Sequence, residues 1–362
     1  MVRSFVPALE GLRAFAAHGV LVTHVAFQTG ATSEPVLGRV LGRFDMAVAV
    51  FFALSGFLLW RPHATAARGI APAPSVLHYF AHRAARILPA YWLVVIAVLA
   101  LLPHAAGDWR VLVANLGLVQ VFVPLTLTEG LTQMWSLSVE VAFYVALPFL
   151  ALACAWLRAA RARWRVPLLL AVGLCCLGWA FVPIPTPDGI HSDSWLPGYL
   201  PWFIAGMVLA ECAVAPAPGL VRLANRRLWM TAVALLAFGL SATDLAGPEG
   251  LTRPEPWQYA VKIVLGAVIG FALLAPLTLA PDGRRHRVLE HPFVLTLGRW
   301  SYGIFIWHLA VLAVVFPVFG IVPFTGEFVM VLVLTVALTI PVASASYALV
   351  EDPVRRWVKS HI

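Results

Sequence analysis

Charge is what this sequence has least of. Of its 362 residues only 12% are Asp, Glu, Lys or Arg, against roughly 25% in a soluble domain, and that excludes a soluble globular enzyme. Cysteine is also scarce: the four, Cys154, Cys175, Cys176 and Cys212, all fall in apolar runs, where a thiol behaves as a small hydrophobe. No disulfide framework, zinc spacing or other metal site is expected. Acidic residues are outnumbered 17 to 25 by Lys and Arg, for a net charge of +8. Spread between apolar runs, that excess is the loop bias of a membrane protein and not a nucleic-acid footprint. There is no internal repeat, no low-complexity segment and no long polar loop, so residues 1–362 are expected to form one domain. A cleavable signal is not expected, because Glu10, Arg13, His18 and His24 interrupt the first apolar run.

What the sequence has in abundance is hydrophobic residues, 61% of the chain. They recur in runs of about 17 to 25, each able to cross roughly 30 Å of hydrocarbon. The expected fold is all-α and polytopic, with about ten transmembrane helices near 12–28, 44–60, 87–104, 135–157, 166–183, 196–214, 228–245, 258–280, 300–319 and 324–350. The short run 111–125 carries Asn115 and Gln120 and is read as re-entrant or interfacial. With ten spans, Arg3, Arg13, Arg61, Arg68, Arg83, Arg86, the 158–165 and 222–227 clusters, Arg284, Arg285, Arg287, Arg299, Arg355, Arg356 and Lys359 share one side. Only Arg39, Arg43, Arg110 and Arg253 stand opposite, with Lys262 just inside the eighth span. By the positive-inside rule both termini are then expected in the cytoplasm.

Ionisable groups inside a span cost roughly 2.5 to 3.5 kcal/mol each on insertion scales, so each needs a partner, a wet cavity or a function. Arg13 and His24 are eleven residues apart, which returns to within about 20° on a helix while rising about 16 Å. Arg13 reads either as a snorkelling helix-end arginine or as a site residue. His24 reads as an interhelical hydrogen-bonding group or as a general base. Ser136, Glu140 and Tyr144 recur at i, i+4 and i+8 and share a helical face. Opposite chain directions put Glu140 and His24 at the same expected depth, about 6 to 7 Å below the outer edge. A Glu–His contact there would orient a base; a structural pair is the plainer use. Arg83 and Arg86, three residues apart, suit either a phosphate clamp or simple cytoplasmic anchoring, with Pro89 expected in the first turn of the third span. Asp45 lies near the outer edge, Ser55 and Gly56 lie deep, and Gly56 would admit close helix packing. His308 is expected mid-membrane in an interhelical hydrogen bond.

These stretches together resemble the membrane acyltransferase-3 family of bacterial O-acyltransferases. PALEGLRAFAAHGVLVTHVAF resembles its opening, with the Arg-x10-His motif on Arg13 and His24. FFALSGFLLWRP resembles its second span, HRAARILPAYW its Arg-x-x-Arg motif on Arg83 and Arg86, and WSLSVEVAFYVALP its Ser-x-x-x-Glu helix. PWFIAGMVLA, with Phe203 and Gly206, SYGIFIWHL and VEDPVRRW follow in order. Two departures stand out. Ala49 takes the place of a common Asp, with Asp45 earlier, and the chain ends at Ile362 without the C-terminal SGNH-type domain of many members, so a single-module reaction is expected.

The resemblance implies a multi-pass protein of the bacterial inner membrane that moves an acyl group from acyl-CoA, acetyl-CoA being the expected form, to a hydroxyl of a carbohydrate, glycolipid or antibiotic-type acceptor. No permanently bound cofactor is expected. In that reading Arg83 and Arg86 bind CoA phosphates, His24 oriented by Glu140 is the base, and Arg13 holds phosphate or the developing oxyanion; an acyl-histidine relay is the variant. Ser136, Tyr144, Asp45 and His308 are candidate acceptor-site or structural residues. The rivals are a transporter of a small acidic or acylated metabolite, whose ionisable groups would line a path, and a non-catalytic envelope subunit.

Overall fold

Long apolar runs leave the backbone no partner but itself in lipid, and helices are the result. A computed structural model describes residues 6–103, 105, 107–250, 252–279 and 286–361; Arg3, Arg284 and Arg285 lie outside them. The α-helices are α1 (Pro7–Gln28), α2 (Leu37–Gly42), α3 (Ala47–Ala67), α4 (Val76–Leu101), α5 (Trp109–Leu116), α6 (Trp135–Ala153) and α7 (Arg165–Cys176). They continue as α8 (Leu196–Val214), α9 (Pro218–Ala224), α10 (Arg227–Ser241), α11 (Pro256–Thr278), α12 (Pro292–Phe319), α13 (Phe328–Ser346) and α14 (Asp352–His361). No strand occurs among the described residues. α1, α8, α9, α11 and α12 each open with proline at the first or second position, where its missing N–H costs nothing.

Eight helical stretches are long and apolar enough to cross a membrane. The two remaining expected spans are also helical. α1 has 22 residues but carries Glu10 and Arg13, and α10 has only 15, about 22 Å of helix. The run 111–125 is not a span: α5 is eight residues long, and the chain then turns inward. Gln133 Nε2 donates to Ile306 O in the middle of α12 at 3.0 Å, so the segment before α6 enters the bundle as a re-entrant element does.

One boundary differs from expectation. The third span starts at Val76, capped by Ser75 accepting from His78 N–H, so Arg83, Arg86 and Pro89 lie inside α4. Pro89 is an interior proline and not a first-turn residue. The polar first half of α4 has no hydropathy signal because it extends beyond the apolar run.

Loop contacts sort into two ends. At one, Phe324 N–H donates to Gln28 O at 2.8 Å, and Arg39–Asp244, Arg43–Glu249, Arg253–Asp193 and Lys262–Asp45 pair at 2.9, 3.6, 3.6 and 2.7 Å. At the other, Glu211, fully buried, takes Arg68, Arg165 and Trp60 Nε1 at 2.5, 2.6 and 2.7 Å. This is the same division that the charges of the sequence make.

α3 and α8 form the centre of the bundle: 72% of the most apolar part of each of the helical stretches Leu37–Ala67 and Ser192–Val214 is buried, against 17% for Ala159–Phe181 and 22% for Phe328–His361. Their crossing depends on two glycines. A Cβ on Gly56 would lie 2.0 Å from Phe203 O, and one on Gly206 would lie 1.8 Å from Ala53 O. Small residues therefore set the interhelical distance, as expected for Gly56. Around that crossing α1, α4, α6 and α12 surround a polar interior.

Candidate active site

The interior is divided into two polar groups. The first is an open cleft of about 720 Å³, solvent at its mouth included, lined by Arg13, Ser55, Arg83, Arg86, Ser136, Glu140, Tyr144, Ser301 and Tyr302 among apolar side chains. Helical periodicity puts Ser136, Glu140 and Tyr144 on the cleft face of α6, as their spacing predicts. Glu140 Oε1 accepts from Ser55 Oγ at 2.5 Å and from Tyr144 Oη at 2.7 Å. Arg83 stacks over the Tyr144 ring, 5.9 Å from its centroid, and Tyr79 Oη donates to Tyr144 O at 3.0 Å. Tyr302 Oη donates to Ile87 O at 2.8 Å, tying α12 to α4.

The cleft is electropositive. Three guanidiniums line it against one carboxylate, Glu140. Arg13 has Glu10 at 3.2 Å. Neither Arg83 nor Arg86 has an acid within 4.0 Å among the described residues, and Arg83 Nε is buried with no partner. Planar forks of this kind match phosphate or carboxylate oxygens. Glu351, 4% exposed, acts electrostatically on this edge through Arg86 and Arg355. It is carried inward by a π-helical turn, Tyr347–Glu351, between α13 and α14.

The second group is a histidine pair on α1 and α12. His24 Nδ1 lies 2.8 Å from Val20 O and 3.0 Å from His308 Nε2, and His308 Nδ1 lies 2.7 Å from Phe305 O and 3.2 Å from Ile304 O. The rings are 5.0 Å apart at 36°. His308 is fully buried, in the interhelical hydrogen bond expected of it. The cleft stops short of the pair at Phe51 and Phe305, whose rings are 6.1 Å apart; Phe305 is 6.0 Å from His308. Asp45 is bound to Lys262, and its charge acts on His24.

The expected contact between His24 and Glu140 does not form. The reason is depth: because Gln133 bonds to mid-α12, α6 starts near the level of His308 and not at the membrane edge. Glu140, five residues further on, lies about 8 Å beyond that level, beside Ser55. Arg13 sits with Arg83 and Arg86, about 16 Å of helix from His24, so it belongs to the cleft and not to the histidine pair. Ser55 as the partner of Glu140, Tyr302 and Glu351 are the site neighbours that sequence reasoning missed. Glu351 stands in the VEDPVRRW motif, but nothing in the spacing indicates an inward turn there.

A family profile described as "Acyltransferase domain" matches residues 6–346. The chain is 29% identical to the acyltransferase MdmB of Streptomyces mycarofaciens, over 84% of this chain and 79% of that protein. It is 22% identical to the peptidoglycan O-acetyltransferase OatA of Listeria monocytogenes, over 98% of this chain and 56% of that one. The figures for the putative peptidoglycan O-acetyltransferase YrhL of Bacillus subtilis are 24%, 97% and 55%. The chain thus spans little more than half the length of the two peptidoglycan relatives. No solved structure matches it.

Proposed function

The chain belongs to the acyltransferase family whose profile covers residues 6–346, and from that premise we propose an integral-membrane O-acyltransferase using acyl-CoA as donor and a hydroxyl-bearing glycan, glycolipid or antibiotic-type molecule as acceptor. The observation that carries this reading is the convergence of Arg13, Arg83 and Arg86 in one cleft lined by a single carboxylate, Glu140. By the positive-inside rule that end faces the bacterial cytoplasm, where CoA is found. CoA is a multiply charged phosphate ester on a long linear arm. Its phosphates suit the guanidinium forks, and its arm suits the roughly 16 Å of α1 between Arg13 and His24. Phe51 and Phe305, in edge-to-face contact at 6.1 Å, stand between the cleft and the histidines, so the arm has to part the two rings to reach them.

At the far end His24 Nε2, the ring nitrogen with no hydrogen-bond partner among the described residues, acts as base. As the acceptor oxygen bonds to the thioester carbonyl carbon, Nε2 takes the hydroxyl proton. The C–S bond then breaks, the thiolate recovers that proton, and the products are an ester and free CoA. Glu140 serves the donor cleft by holding Ser55 and Tyr144, and does not orient the base. The O-acetyltransferase relatives favour acetyl as the group moved.

The test is purified protein in nanodiscs with labelled acetyl-CoA and glycan fragments or macrolides as acceptors. Acetyl ester formation with stoichiometric CoA release is expected. Saturable passage of an acidic metabolite into proteoliposomes without any acetyl-CoA cleavage would instead support a transporter.

A further inference from the structure

The hydrogen bonds of the histidine pair determine where its protons are. Carbonyl oxygens only accept, so His308 Nδ1, facing Phe305 O and Ile304 O, carries hydrogen. In the neutral ring His308 Nε2 is then a lone pair. His24 Nδ1 faces Val20 O and also carries hydrogen, which it shares between Val20 O and His308 Nε2. Both neutral rings are therefore Nδ1–H tautomers. The one basic nitrogen of the pair left without a partner is His24 Nε2.

We propose that His308 is the positioning residue of the transfer reaction: its Nε2 accepts from His24 Nδ1–H and stabilises the imidazolium that forms when His24 Nε2 takes the acceptor proton. This rests on His24 being the base. In this site an imidazole does what a carboxylate does in a Ser-His-Asp triad, orienting the ring and sharing its charge. Few other charges act on the pair. The turn Arg43–Met46 brings Asp45, which is paired with Lys262 of α11. Arg43 is turned to Glu249 and Gly247 O, and Arg39 of α2 is paired with Asp244. α13 has no ionisable residue, those of α3 (Arg61, His63) lie in its last turns, and those of α4 begin and line the cleft.

The direction of the pH effect follows. Transfer needs neutral His24, so activity falls as pH drops through its titration. An acceptor on Nδ1–H favours the imidazolium; removing it moves that acid limb to lower pH and lowers the plateau. His308→Phe keeps an aromatic ring, somewhat larger than imidazole, and removes the acceptor, whereas His308→Gln keeps a carbonyl oxygen able to accept. With acetyl-CoA as probe and cleavage as readout, H308F is expected to lose kcat about 10- to 100-fold at unchanged KM, with its acid limb displaced downward. H308Q is expected to recover most of both. Equal losses in the two variants with no movement of the acid limb would mean a merely structural histidine and would overturn the proposal, as would an H308F enzyme of near-normal kcat. If H308F fails to insert, the wild type still decides: ¹⁵N-histidine spectra, assigned by difference against H24A, should show Nδ1–H at both rings. An Nε2–H signal from either ring of the neutral pair overturns it. Turnover surviving in H24A would instead remove the base reading itself.

Discussion

The two ends of the bundle use basic residues differently. At the end holding Gln28 and Phe324, Arg39, Arg43, Arg253 and Lys262 each face an acid. In the cleft, Arg83 and Arg86 face none within 4.0 Å among the described residues, whereas a buried guanidinium nitrogen without a hydrogen bond occurs at both ends, on Arg43 and Arg165 as on Arg83. Charges in direct ion pairs are accounted for by the fold; convergent guanidiniums with no acid in direct contact, as Arg83 and Arg86 are, are costly in a membrane protein and point to an anion that arrives later. The buried Glu211 hub, with two arginines and an indole on one carboxylate, is the paired kind at the cleft's own end of the molecule. Sidedness alone therefore does not make a basic residue functional.

The largest change that breaks this comparison is at the histidines. His24→Ala is expected to lower transfer about 10²- to 10⁴-fold while acetyl-CoA still binds, measured as turnover against equilibrium binding. Next is the structural hub: Glu211→Ala leaves Arg165 buried and unpaired, at about 3–5 kcal/mol, so thermal unfolding in detergent should show severe loss. Glu211→Gln, which keeps the acceptor oxygen, should lose less. Arg83→Ala and Arg86→Ala are each expected to weaken acetyl-CoA binding about 10- to 100-fold, the equivalent of one charged hydrogen bond of roughly 1.5–3 kcal/mol. Lysine should restore only part, lacking the fork. Smallest is Glu140→Gln, which removes the one carboxylate lining the cleft while its amide oxygen still accepts from Ser55 and Tyr144. Acetyl-CoA should bind a few-fold tighter by titration, within the roughly 1 kcal/mol that a partly screened charge commands.

Much of this was legible in the sequence where helical geometry alone decides. Periodicity placed Ser136, Glu140 and Tyr144 on one face, charge divided the loops into two sides, and the shortness of 111–125, with Asn115 and Gln120 in it, kept it from being read as a span. Partners across helices were not legible. The depth at which α6 begins depends on a loop folding back to bond Ile306 O, and that contact has no local signature. The same loop moved Glu140 away from His24 and toward Ser55. His308 was expected to bond across helices, but choosing His24 as its partner required the packing of α1 on α12. The early start of α4 was hidden because a polar helix outside the apolar run reads as a loop in hydropathy.

In the proposed reaction Arg83 and Arg86 hold the donor's phosphates while its acyl end reaches the histidine pair. The most direct measurement is a structure of the protein with acetyl-CoA bound. Phosphate oxygens are expected within hydrogen-bond distance of Arg83 and Arg86, and the thioester carbonyl on the His24 side of Phe51 and Phe305. Phosphates remote from all three cleft arginines, or a thioester that stays on the Glu140 side of the two phenylalanines in a catalytically competent complex, would contradict it.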